Sequence, residues 1–213
     1  MTISIITPFH NCPELLPDYE KAVQGAQVIA IDNASDPVTS EQLEAMVNRL
    51  GNGSIYVRNE ENVKFSKANN QGLALADGEI VVFMNSDIQA TGNWLDRVQN
   101  AKKGAFYSPT SGVRIVDGEV LRYLEGWCLF GHKSDFERIG GWNERDFPGL
   151  YWEDNELCYR AERAGLQLRQ LLLPLRHLSN YTSRRTEGAY LYSEANKAVF
   201  ERIVRQGRAS CSQ

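Results

Sequence analysis

Residues 81–88 read VVFMNSDI. The apolar run begins at Ile80 and passes directly into Asn85, Ser86 and the acid Asp87. Apolar residues at every position predict a strand over residues 80–84 that is covered on both faces. Such a strand belongs to a parallel sheet between two layers of helices. Its carboxyl end opens on the edge where sheets of this kind bind ligands. An acid costs little there, because it faces water or a cation rather than the core.

The preceding residues repeat the pattern. Apolar runs at 3–7 and 28–31 and a short one at 54–58 predict three more strands. Helical spacing over 13–24, 39–50 and 65–76 separates them, with Gly51 and Asp77-Gly78 as stops. Strands alternating with helices of this length imply right-handed crossovers and a mostly parallel sheet. The first strand ends in Thr7-Pro8, the second in Asp32-Asn33 and the fourth in Asn85-Ser86-Asp87. Each of these groups is an ordinary turn former when taken alone. Together on one rim they predict a binding cleft.

The second half reads differently. Two short apolar segments flank Asp117-Gly118, a hairpin signal. A Trp- and Gly-rich stretch follows, then a short helix near 133–139, a helix over 153–164 and a strand over 166–173. A polar, basic loop at 179–188 leads to an amphipathic helix over 190–205. Its apolar side is expected to carry Tyr192, Ala195, Val199 and Ile203. The expected plan is one domain with a parallel α/β half (1–88), a mixed half (89–188) and a C-terminal helix and tail (189–213).

Composition narrows the function. Net charge is −4, which argues against a broad basic face, so no nucleic-acid partner is expected. No apolar run approaches the ~18 residues of a membrane span. The segment MTISIITPFH lacks a basic start and reads as a strand, so no signal peptide is expected. The four cysteines form no CxxC pair and match no zinc spacing. They predict free thiols in a reducing, cytoplasmic setting.

Glycine-rich phosphate cradles are missing. After the first strand stands Pro8-Phe9-His10-Asn11 rather than G-x-G-x-x-G, and no G-x-x-x-x-G-K-[ST] occurs. A bound diphosphate therefore needs another source of positive charge. A divalent cation on Asp87 is the expected one. Further on, Tyr151-Trp152 precedes Glu153, Asp154 and Glu156 at a helix start. Acids there complement the helix dipole, worth about 0.3–1 kcal/mol each. Aromatics beside adjacent acids also suit a sugar pocket with a general base. His177 leaves a strand just before the basic loop. It reads equally as a structural histidine and as a ligand.

Four pieces stand in a telling order: SIITPFHN, VIAIDNAS, the segment from NEENVKFSKANN to VVFMNSDI, and the segment from GWCLFGHKSDF to YWEDNELCYRAERAGLQL. With them the chain resembles the family 2 glycosyltransferases of the nucleotide-diphospho-sugar transferase (GT-A) fold over most of residues 3–168. The resemblance implies one α/β domain, with a mixed, mostly parallel central sheet between helices and a Rossmann-like N-terminal half. It implies that the first half (1–88) binds a nucleotide-sugar and the second (89–188) the metal and acceptor. It implies transfer of a sugar, with inversion, from a UDP-sugar to a glycan or glycoprotein acceptor, with Mn2+ or Mg2+. Thr7, Pro8, Asp32, Asn33, Asn62, Phe65, Asn70, Ser86 and Arg184 would hold the nucleotide. Asp87 and His177 would hold the metal, Asp154 would be the base, and Trp127, Trp152 and Glu153 would face sugar or acceptor. Asn85 departs from the family pattern, replacing the first acid of its DxD metal motif. That departure keeps a second function open, a nucleotide- or glycan-binding module without catalysis. A sugar-nucleotide pyrophosphorylase or a dehydrogenase is disfavoured by the missing glycine loops.

Overall fold

The computed structural model describes residues 2–178 and 191–211. Arg184 and the basic loop around it lie outside the described residues. The strands of the main sheet are β1 (Ile3–Phe9), β2 (Gln27–Asn33), β3 (Ile55–Asn59), β4 (Ile80–Met84), β6 (Ala105–Ser108), β9 (Cys128–His132) and β10 (Gln167–Gln170). Two small ribbons pair β5 (Ile88–Ala90) with β11 (Leu175–His177), and β7 (Ser111–Val116) with β8 (Glu119–Leu124). The helices are α1 (Leu16–Ala22), α2 (Pro37–Leu50), α3 (Lys64–Leu75), α4 (Leu95–Val98), α5 (Lys133–Arg138), α6 (Glu153–Arg163) and α7 (Leu191–Cys211).

The seven-stranded sheet runs in the order β10-β6-β9-β4-β1-β2-β3. Every neighbouring pair is parallel except the two made by β9. The sheet is therefore the mixed, mostly parallel one expected, with helices on both faces. The chain lays β2 and β3 on one side of β1, then crosses to place β4 on the other. Connections diverge at that switch, so a crevice opens beyond the carboxyl ends of β1 and β4.

Side-chain alternation explains the two layers. On one face Ile5, Val28, Ala30 and Val82 pack with Tyr19 of α1 and Leu43, Met46 and Val47 of α2. On the other Ile6, Ile29, Val81 and Phe83 pack with Ala68 of α3, Phe136 of α5 and Leu157 of α6. Apolar area buried this way stabilises by roughly 25 cal/mol per Å². Gly72 lets α3 lie against β1, because a Cβ there would collide with the Ile6 side chain.

The hairpin forms as read, turning at Asp117 (φ 47°) and Gly118 (φ 82°), both in the left-handed region that a primed two-residue turn needs. The C-terminal helix keeps half of its expected face, with Val199 and Ile203 packed partly buried against the domain and Tyr192 exposed. Asn196, Phe200 and Val204 are buried, whereas Ala195 is exposed. Phe200 and Val204 join Tyr159 of α6 and Val116 and Leu121 of the hairpin in a third cluster. Arg205 pairs with Asp117 at 2.9 Å, tying α7 to the hairpin turn.

Candidate active site

A cleft of about 610 Å³ opens at the carboxyl edge of the sheet. Eleven of the expected residues line it: Pro8, Asn33, Asn62, Phe65, Ser86, Asp87, Trp127, Trp152, Glu153, Asp154 and His177. Three expected residues are placed elsewhere. Thr7 is buried under the edge with its hydroxyl 2.7 Å from that of Tyr19. Asn70 bridges to the Trp142 backbone, donating to its carbonyl and accepting from its N–H. Asp32 is fully buried, and its oxygens accept from the Ser35 N–H, Ser40, Tyr56 and Arg58. Burial pushes its carboxyl up, but the bonds from Ser40, Ser35 and Tyr56 outweigh that, and it ends below its ordinary value. Asp32 therefore organises the loop after β2 instead of lining the cleft.

One end of the cleft is built from amides. Asn33 accepts from Asn59 through its side chain, and its carbonyl lies 2.8 Å from His10 Nδ1. A carbonyl only accepts, so that nitrogen carries the proton. Asn62 accepts the Lys64 N–H at the start of α3. Phe65 packs edge-on to Trp142.

At the centre, a short ribbon brings two distant residues together. β11 pairs antiparallel with β5, setting His177 opposite Ile88, and the Leu178 N–H bonds the Asp87 carbonyl. His177 Nε2 then lies 3.1 Å from Asp87 Oδ1. That oxygen is buried and finds no hydrogen-bond partner among the described residues. The imidazole lies flat on Trp127, with centroids 5.0 Å apart and planes at 11°. Trp127 is fixed in turn by its N–H, 2.6 Å from Thr110 Oγ1. A close carboxylate–imidazole pair with an unsatisfied oxygen fits a divalent cation held by these two side chains. Among the described residues no three His, Cys, Asp or Glu side chains converge. Further ligands would have to come from substrate or water.

At the far end α6 opens with Glu153 and Asp154, after two residues in left-handed backbone, Tyr151 (φ 74°) and Trp152 (φ 73°). Such strain clusters at functional sites. Burial, then the neighbouring Asp154 charge, pushes Glu153 up to about 8. Its Oε2 has no hydrogen-bond partner among the described residues. Asp154 is raised by burial too, but is better served. Its Oδ2 accepts the Gly126 N–H at 3.1 Å, and its Oδ1 accepts the Asn155 N–H and amide. Gly126 permits this approach, since a Cβ would sit 3.3 Å from the Asp154 Cβ. With one negative charge to share, Asp154 is the better home for it.

Several lining residues were not foreseen as site residues, including His10, Arg114, Tyr123, Glu125 and Asn155. Arg114 sits on the hairpin, its guanidinium 4.8 Å from the Tyr123 ring and 4.6 Å from the Trp152 ring. Nothing in the sequence distinguishes it from an arginine on a solvated strand face.

A doubly covered sheet of this order, with an acid–histidine pair and two adjacent buried acids at one crevice, is the architecture of the nucleotide-diphospho-sugar transferase (GT-A) fold. Known structures agree on the fold. The mannosyltransferase PcManGT from Pyrobaculum calidifontis, solved with GDP-Man and Mn2+, superposes with a TM-score of 0.62 at 19% identity, covering 86% of this chain and 59% of that one. GalNAc-T7, solved with UDP, GalNAc and Mn2+, gives 0.67 at 14% identity, covering 83% and 43%. The pre-mycofactocin glycosyltransferase of Mycobacterium tuberculosis is 24% identical, over 78% of this chain and 40% of its own length. Residues 4–146 match the model of glycosyl transferase family 2, and the chain belongs to that family, a family of transferases. It spans less than half the length of the curated relatives it matches. Among the described residues no helix is long and apolar enough to cross a membrane.

Proposed function

We propose that this domain transfers a sugar from a nucleotide diphosphate to a hydroxyl of a glycan or glycoconjugate, with inversion and with Mn2+ or Mg2+. The observation that carries the reading is the Asp87–His177 pair, whose buried unsatisfied oxygen faces the same cleft as Asp154. Both neighbouring structures were solved with Mn2+, one with UDP and one with GDP-Man. We place a UDP-sugar first, because the better-superposing neighbour holds UDP.

The residues divide the work. Pro8, Asn33, Asn62 and Phe65 bind and orient the nucleotide. Asp87 and His177 hold the cation, which when bound neutralises charge on the departing diphosphate. Asp154 accepts the proton of the acceptor hydroxyl as its oxygen bonds to the anomeric carbon and the carbon–phosphate-oxygen bond breaks. Trp152 and Glu153 stand beside the base, where an acceptor would lie. Arg184 is assigned to the diphosphate on the resemblance alone. The buried free thiols of Cys128 and Cys158 suit a reducing, cytoplasmic setting.

Calorimetry with UDP, GDP and ADP, with Mn2+ or with chelator, tests the donor and metal assignments. The expected result is tighter binding of UDP that disappears on chelation. Equal binding without metal would overturn the metal assignment. A non-catalytic binding module, which Asn85 in place of an acid favours, would bind UDP and turn over no UDP-sugar.

A further inference from the structure

We propose that Arg114 is a positioning residue: through the side-chain amide of Asn155 it fixes the orientation and charge of Asp154. The inference rests on the reading of Asp154 as the base. It is carried by a chain of three side chains drawn from two elements.

Arg114 Nε donates to Asn155 Oδ1 at 3.2 Å, and Asn155 Nδ2 donates to Asp154 Oδ1 at 2.6 Å. A guanidinium can only donate and a carboxylate can only accept, so the buried amide between them has one permitted orientation. The link is therefore directional. A positive charge on the hairpin is presented, one amide away, to a negative charge at the start of α6. Arg114 is itself held between the Tyr123 and Trp152 rings, a stacking that suits a planar guanidinium.

The groups around Asp154 all bear on its charge. Glu153 beside it, Glu125 across the cleft and Glu156 and Cys158 further along α6 are acids or weak acids, and Tyr123 faces it from β8. All of these disfavour a charge on Asp154 when they ionise. Among the described residues Arg114 is a cation that acts in the other direction, alongside the Gly126 and Asn155 donors. The turn end of the hairpin is tied to α7, where Val116 and Leu121 pack with Phe200 and Val204 and Asp117 pairs with Arg205.

Two readouts test the chain. The first is carboxyl-carbon NMR of the free protein, with the Asp154 signal assigned by its loss in Asp154→Asn. In Arg114→Met the titration midpoint of Asp154 should rise by about one pH unit, the scale of losing an opposite charge and its hydrogen-bond link. Arg114→Lys should move it less, since charge is kept and the planar Nε donor is lost. Asn155→Leu should raise it too, and the double variant should move no further than the larger single, because both cut one chain. An unchanged midpoint in Arg114→Met, or shifts that simply add in the double variant, overturns the proposal whether or not the protein turns over sugar. The second readout is the pH–rate profile. Its acid limb should move upward in Arg114→Met by the same amount, with the rate recovering at high pH. An equal loss at every pH would mean that Arg114 only supports the structure. If the midpoint moves and no transfer is found, the chain stands and the catalytic reading of Asp154 falls.

Discussion

His177 Nε2 lies 3.1 Å from Asp87 Oδ1, yet that buried oxygen has no hydrogen-bond partner among the described residues. A buried polar atom left unsatisfied costs about 1–3 kcal/mol, so a fold that keeps one usually has a use for it. The ribbon of β5 and β11 keeps this one by register, setting His177 opposite Ile88, from which it is 89 positions distant in the sequence. Two ligands aimed at a shared third group would look like this pair.

Asp87→Ala should abolish metal-dependent UDP binding and leave the fold intact. The side chain closes a strand end and contributes no hydrogen bond to the core through Oδ1, so stability should change by less than about 1 kcal/mol. Calorimetry with UDP and Mn2+ checks this, and wild-type affinity in the variant would remove Asp87 from the metal.

Trp127 should matter through His177. Its indole backs the imidazole and is itself pinned by Thr110. Trp127→Leu removes the platform and should weaken Mn2+-dependent UDP binding by about tenfold, the lower end for supports of metal ligands. Trp127→Phe keeps a flat ring and should stay nearer wild type. Manganese titrations at fixed UDP distinguish the two, and identical behaviour of both variants would mean that stacking is irrelevant.

Asp32 should behave as a structural acid. Asp32→Asn breaks the 2.8 Å pair with Arg58 and weakens the bonds from Ser40 and Tyr56. Arg58 is partly exposed, so the loss should be about 1–3 kcal/mol, seen in urea unfolding. UDP affinity of the folded variant should stay within a few-fold. A loss of tenfold or more in affinity at unchanged stability would return Asp32 to the nucleotide.

The parallel half was legible because its buried strands are apolar at nearly every residue. Short strands carried no such mark. In β9 a cysteine, a glycine and a histidine interrupt the apolar pattern, and β11 is three residues after Pro174. Asp87 and His177 could each be picked out as polar groups at strand exits. That they meet depends on the β5–β11 register, a long-range pairing with no local signal. Asp32 misled because a strand-ending acid is equally suited to a ligand and to its own loop. Only the partners Ser40, Tyr56 and Arg58 decide between them.

Stability should fall as pH rises through the range where Glu153 stays protonated in the fold. Its unfolded value is near the ordinary 4.5 and its folded value is about 8. Between these the folded chain binds more protons than the unfolded one, so the slope of unfolding free energy against pH is negative. The fall should be on the order of 2–4 kcal/mol between pH 5 and pH 8.5. Glu153→Gln cannot ionise and should flatten that part of the profile. Urea unfolding of both proteins at several pH values measures it, and the same slope in both would mean that Glu153 is not the group responsible.

Asp154→Asn separates binding from chemistry. The substitution keeps the size of the side chain, and its remaining oxygen can still accept from the Gly126 or Asn155 donors. The amide cannot take a proton from an attacking hydroxyl. The residues proposed for donor and metal lie on other elements, on β1, β2 and α3 and around β4, β5 and β11, and should be untouched. Transfer with donor saturating should therefore fall by about a hundredfold or more, the usual scale for a lost general base, while UDP affinity with Mn2+ holds near wild type. An acid that merely opened α6 would give the opposite pattern, since asparagine serves a helix start about as well as aspartate. Then stability would shift slightly and turnover would not. The transfer rate of the purified variant decides between them. A product that retains the anomeric configuration would remove the need for a base at this position.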